Sequence, residues 1–214
     1  YRRQIAAPRL VGEPDSLNDT VVFENEAIRC WTLPAPHPQE VLILSFKSKM
    51  HTLGPDVVRG IVQAVDLAEA SFKALVIGQL SEPFSAGADL KAMLPVFAAG
   101  GAAAVEPIER EMQDMVLRLR YAQVPVVAAL AGMALGGGCE LSVHCARRVA
   151  HFETYIGLVE AGIGLVPGAG GLTYCARRAA ELQAEGAPDA PLLAFLKKFA
   201  LAVASAQVSR SALD

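Results

Sequence analysis

The spacing of apolar side chains changes along the chain, and each change marks an element. Val21-Val22-Phe23 and residues 27–33 are short and rich in branched or aromatic side chains, as strands are. Residues 34–38, bounded by prolines, read as a turn, and Val41-Leu42-Ile43-Leu44-Ser45-Phe46 is an apolar run of strand length. Over residues 55–73 the period becomes helical: Val57, Val58, Ile61, Val62, Val65 and Leu67 recur on one face, and Pro55 suits a first turn. Ala74-Leu75-Val76-Ile77 reads as another buried strand, residues 103–122 as a second helix, residues 124–130 as a third buried strand and residues 192–206 as a last helix. Strands alternating with helices imply parallel pairing through right-handed crossovers, so the expected fold class is α/β. Residues 1–18 have no period and read as a linker or arm, residues 19–182 as the core, and residues 183–214 as the start of a C-terminal helical region. The Gly100-Gly101-Ala102-Ala103-Ala104 run is expected to be a flexible loop.

Composition narrows the classes of function. With 214 residues, 53% hydrophobic and 19% charged, the chain is long and apolar enough for one packed core and too apolar for disorder. Nineteen basic against 22 acidic residues give a net charge of −3, which offers no field to attract nucleic acid or an anionic membrane. Residues 121–139 are uncharged, yet Pro125, Gly132 and Gly136-Gly137-Gly138 suit a buried strand, turn and helix start, not a membrane span. The first residues carry no apolar signal-peptide core. Cys30, Cys139, Cys145 and Cys175 lack zinc-type spacing, so packed, reduced thiols in a cytoplasmic protein are expected. His144 and His151 fit no metal set either, and no metal is expected.

Chemistry concentrates in three Gly-rich segments: Ser85-Ala86-Gly87-Ala88-Asp89-Leu90, Gly136-Gly137-Gly138-Cys139-Glu140 and Pro167-Gly168-Ala169-Gly170-Gly171. Glycines beyond the carboxyl ends of parallel strands let backbone amides approach a ligand, and a glycine triplet opening a helix presents N–H groups with no intrahelical partner. Gly162-Ile163-Gly164 is no dinucleotide fingerprint, because Pro167 stands at the third glycine and no strand of adequate length is read just before it. Glu140 is the sole acid in residues 121–147, and Glu160 stands alone among apolar neighbours. Either could cap a helix or pair with Arg147 or Arg148. Beside amide-lined turns, however, two carboxylates are also the parts for moving protons while holding an oxyanion.

These segments resemble the crotonase, or enoyl-CoA hydratase/isomerase, superfamily over residues 41–178, with Pro125-Val126-Val127-Ala128-Ala129 leading into the glycine triplet. The resemblance implies a spiral of ββα units with a truncated C-terminal helical region, and a bent CoA thioester held by backbone amides matched here by Ala88 and Gly137. It implies catalytic roles for Glu140 and Glu160, and substrate contacts at Lys49, Ala86 and Leu90. The chain departs from the pattern at Val159, where proline is common, at Ile156, at Ala146 in place of aspartate and at His51 in place of asparagine. The expected activity is hydration of a trans-2-enoyl-CoA in fatty-acid β-oxidation. The alternatives are double-bond isomerisation and a catalytically silent CoA-binding or assembly domain. No cofactor is expected here, acyl-CoA being the substrate and a homo-oligomer the expected assembly. The ends resemble the hydratase region of a bifunctional protein whose 3-hydroxyacyl-CoA dehydrogenase portion, with its NAD, precedes it.

Overall fold

A computed structural model describes residues 20–33 and 39–213. The expected arm at residues 1–18 and the turn at residues 34–38 lie outside them. Six strands form one sheet in chain order: β1 (Thr20–Glu24), β2 (Ile28–Thr32), β3 (Val41–Phe46), β4 (Ala74–Gly78), β5 (Val126–Leu135) and β6 (Arg147–Gly157). The first three strands pair antiparallel, and β3 to β6 pair parallel, as the alternation of strands and helices requires. Helix α1 (Pro55–Ser71) crosses from β3 to β4, and α2 (Leu90–Arg120) from β4 to β5. A short α3 (Gly137–His144) joins β5 to β6, and α4 (Gly171–Gly186) and α5 (Leu192–Ala204) follow.

The core lies between the sheet and the apolar faces of α1 and α2. Val57, Val58, Ile61, Ala64, Val65 and Ala68 of α1 are buried against strand residues such as Leu42, Leu44, Leu75 and Ile77. Trp31 and Ser45 are paired inside the core: Trp31 Nε1 donates to Ser45 Oγ at 3.1 Å, which donates to Gly78 O at 2.7 Å. Helix α1 packs tightly on the sheet at Gly60, where an added Cβ would lie 2.7 Å from Ile28 Cγ2. At an open helical site Gly→Ala gains about 1 kcal/mol. Here Gly60→Ala should instead destabilise by roughly 1–3 kcal/mol through overpacking. Urea unfolding reads the sign, and a stabilised variant would mean that Ile28 yields.

Two expectations are corrected. The Gly100–Ala104 run expected to loop lies within a helix, because α2 already starts at Leu90, with Asp89 Oδ1 accepting from the Lys91 and Ala92 amides at 3.1 and 3.3 Å. Only Gly101 departs, at φ 62, ψ −155, so α2 is two helical segments meeting there. A strand does precede the Gly162 segment: β6 has 11 residues and ends at Gly157. It escaped the pattern because Arg147 to Glu153 are all exposed, leaving no buried face to impose a period of two.

The bend in β5 positions the site. Its pairing with β6 shifts register between Leu130 and Gly132, where Gly132 takes φ 63, and the strand then pairs anew through Met133, Ala134 and Leu135. The redirected part also bridges Ser85 to Ala134, while Leu53 bridges Ala88. This brings the Ser85–Leu90 loop against the start of α3.

Candidate active site

Each glycine of the triplet answers a different steric demand. Gly136 caps α3 at φ 53, ψ −123, a conformation side chains resist. A Cβ on Gly137 would sit 3.4 Å from Ala88 N and 3.3 Å from Met112 Cε, and one on Gly138 would fall 2.7 Å from Ser85 Cβ. The Ser85 hydroxyl locks the opposing loop, donating to His51 O at 2.7 Å and accepting from Gly87 N at 3.1 Å. The Ala88 and Gly137 amides therefore stand side by side, and among the described residues neither donates a hydrogen bond. Gly137 is the first residue of α3, so its N–H has no intrahelical partner.

Both amide-bearing residues line a cavity of about 100 Å³ that Glu140 and Glu160 also line. Glu140 lies in the first turn of α3 and is 2% exposed. Its Oε1 accepts from Gly171 N, the first amide of α4, at 2.8 Å. Burial pushes its carboxyl up to about 7, opposed by the Gly171 N–H, which favours the charged form, and reinforced by Glu160 and Glu109 nearby. Glu160 opens the 3₁₀ turn Glu160–Ile163, and among the described residues its enclosed Oε2 has no hydrogen-bond partner. Burial raises its carboxyl too, opposed by its own backbone amide and reinforced by Glu109. Among the described residues no ion pair joins either glutamate to Arg147 or Arg148; Arg147 Nη1 donates to Ala146 O and Glu140 Oε1 accepts from Gly171 N. The capping alternative is realised in part, since Glu140 satisfies the start of α4 from inside the pocket.

A raised carboxyl pKa makes the native state bind that proton more tightly than the unfolded chain does. Glu140 therefore contributes stability that is full below the unfolded value near 4.5 and is lost as pH rises through about 7. Relative to Glu140→Gln, the parent should lose about 3 kcal/mol across that window. Denaturant unfolding of both proteins at several pH values measures it, and a pH-independent difference would contradict the assignment.

Of the substrate-contact residues expected from sequence, Ala86 and Leu90 line the same cavity. Lys49 does not; it is exposed in the turn Lys49–His51, next to Met50, whose carbonyl accepts from Ala86 N at 3.1 Å. His144 is buried with Nδ1 2.7 Å from Glu140 O, and His151 is exposed, so both are packing or surface residues. Cys30, Cys139 and Cys145 are buried free thiols, and Cys175 is half-buried. Among the described residues no cluster of His, Cys, Asp or Glu could hold a metal ion, and no helix is long and apolar enough to cross a membrane.

Sequence reasoning missed Glu109. It lies on α2 and lines the cavity, its Oε2 within 2.5 Å of where a Cβ on Gly168 would be. Nothing local signals this, because Glu106, Arg110 and Glu111 around it look like an ordinary solvated helix face. A larger groove of about 470 Å³ between α1 and α2 is lined by Arg59, Glu111 and Arg118. Its two cations are already paired, Arg118 with Asp66 and Glu69, and Arg59 with Asp56 and Glu111.

The model of the enoyl-CoA hydratase/isomerase family matches residues 38–188. A Bacillus subtilis (strain 168) protein named "probable 3-hydroxyacyl-CoA dehydrogenase" is 39% identical over 132 residues, covering 62% of this chain and 17% of its own length. The peroxisomal bifunctional enzyme of Cavia porcellus is 38% identical over 141 residues, covering 65% of this chain and 18% of its own. The chain thus spans about one fifth of these relatives. The crystal structure of enoyl-CoA hydratase from Thermoplasma volcanium GSS1 superposes with a TM-score of 0.69 at 22% identity, over 90% of this chain and 69% of that one. At that identity the likeness speaks for the fold, which is the crotonase fold that the resemblance implied.

Proposed function

The chain belongs to the enoyl-CoA hydratase/isomerase, or crotonase, family, and from that premise we propose that its pocket adds water across the C2–C3 double bond of a trans-2-enoyl-CoA. The observation that carries this reading is the side-by-side pair of undonated amides, Ala88 and Gly137, at a pocket that Glu140 and Glu160 share. The thioester oxygen lies between the two amides and gains negative charge as water attacks C3. Fixed N–H dipoles stabilise that charge without reorganising, and a water-poor pocket strengthens them. Glu140 takes a proton from the attacking water, the oxygen bonds to C3, and Glu160 delivers a proton to C2. The products are a 3-hydroxyacyl-CoA, a protonated Glu140 and an ionised Glu160, which exchange with solvent.

One carboxyl must arrive ionised and the other protonated. Burial raises both groups, and the Glu160 charge raises Glu140 further, so this setting favours keeping a proton on the pair. Double-bond isomerisation needs one carboxylate to carry a proton between carbons, so the presence of both favours hydration. The setting we propose is a cytoplasmic homo-oligomer serving fatty-acid β-oxidation. In a longer protein, a dehydrogenase domain using NAD would consume the product. This domain itself takes the CoA thioester as substrate and no cofactor. Mixing the purified protein with crotonyl-CoA should abolish the conjugated-thioester absorbance and yield 3-hydroxybutyryl-CoA by chromatography. Substrate left intact would favour the silent binding domain, and a 3-enoyl substrate converted without hydration would favour isomerisation.

A further inference from the structure

Glu109 reaches the pocket from α2, an element that bears neither catalytic glutamate. Its Oε2 lies against the backbone at Gly168, where any side chain would collide with it. One turn further on, Gln113 Nε2 donates to Gly168 O at 2.7 Å, tying that stretch of α2 to the same loop. The loop runs directly into Gly171, whose amide holds Glu140. The groups that share the pocket with Glu109 are Glu140 from α3 and Glu160 from the turn after β6, while the intervening loop brings only Leu165, Val166 and Gly168. On its own helix, Arg110 pairs with Glu106 and lines a different groove, and Glu111 pairs with Arg59. Among the described residues no cation is paired with Glu109. The three carboxyls do not converge as a metal site would. They stand on separate walls of one small cavity.

Resting on the hydratase reading, we propose that Glu109 is a positioning residue for the Glu140 and Glu160 pair: its negative charge, on another wall of the same cavity, favours retention of a proton by that pair. A like charge close by, in surroundings less polarisable than water, disfavours ionisation of its neighbours. Burial alone does part of this. Glu109 adds to it at both glutamates. Without it the pair loses its proton at lower pH, and no acid remains to protonate C2. Burial raises the half-buried Glu109 carboxyl as well, so its field acts on the pair where Glu109 is itself ionised.

The test is the pH dependence of kcat/KM for hydration in the parent, Glu109→Gln, Glu109→Asp and, as a surface control on the same helix, Glu106→Gln. Glu109→Gln should move both limbs of the profile to lower pH by roughly half a unit to one unit, with a plateau near the parent's. Glu109→Asp, which keeps the charge, should return most of the shift, and Glu106→Gln should leave the profile in place. A uniform fall in rate with unmoved limbs would overturn the proposal and mark Glu109 as structural. Carboxyl 13C titration of the same proteins reads the coupling without activity. Midpoints of Glu140 and Glu160 that stay put in Glu109→Gln refute it, whereas midpoints that move in Glu109→Gln while the parent hydrates nothing refute only the hydratase reading.

Discussion

Glu140→Gln and Glu160→Gln should each lower hydration of a short trans-2-enoyl-CoA by roughly 10²–10⁴-fold, the range for removing one positioned proton-transfer group. Both proteins should remain folded, for different reasons. At position 140 a glutamine oxygen can still accept from Gly171 N, so the start of α4 keeps its partner. At position 160 the enclosed Oε2 has no hydrogen bond to lose, and removing a half-buried carboxylate relieves desolvation. Because the two groups work on opposite ends of one addition, the double variant should be only slightly slower than the worse single one. Stopped assays at saturating crotonyl-CoA, with circular dichroism on the same samples, decide this. Parent-like turnover in a folded single variant would remove that glutamate from the mechanism.

Gly137→Pro should cost roughly 10²–10³ in rate by deleting one of the two oxyanion donors. Proline is well tolerated at the first position of a helix, where its missing N–H has no intrahelical use, so α3 should persist. The ring also fills space beside Ala88 N and Met112 Cε, which a Cβ would meet at 3.4 and 3.3 Å. Substrate binding should therefore weaken as well, whereas Gly137→Ala, which keeps the N–H, should retain much more of the rate. Equal losses in the alanine and proline variants would show that space, not the donor, is what Gly137 supplies.

The glycine triplet was legible because each glycine answers a backbone requirement that sequence can express: a positive φ at Gly136, a close amide at Gly137 and contact with Ser85 at Gly138. Glu140 and Glu160 were legible as acids isolated in apolar stretches, where burial is costly. Helix α1 was legible because one face is buried, which imposes its period, and β3 and β4 because nearly every position is buried or half-buried, which gives apolar runs of strand length. Strand β6 and the first segment of α2 were not. Val149, Phe152, Leu94 and Phe97 are exposed, so their apolar side chains do not mark an inward face. Glu109 was hidden for the opposite reason: its neighbours in sequence are solvated charges, and only tertiary packing sets it against Gly168.

The position of the thioester oxygen tests the central claim most directly. A crystal structure of the protein with a bound acyl-CoA should place that oxygen about 2.7–3.1 Å from both the Ala88 and Gly137 nitrogens, with C2 and C3 facing Glu160 and Glu140. An oxygen held elsewhere, with both amides turned to solvent or to other groups, would contradict the account.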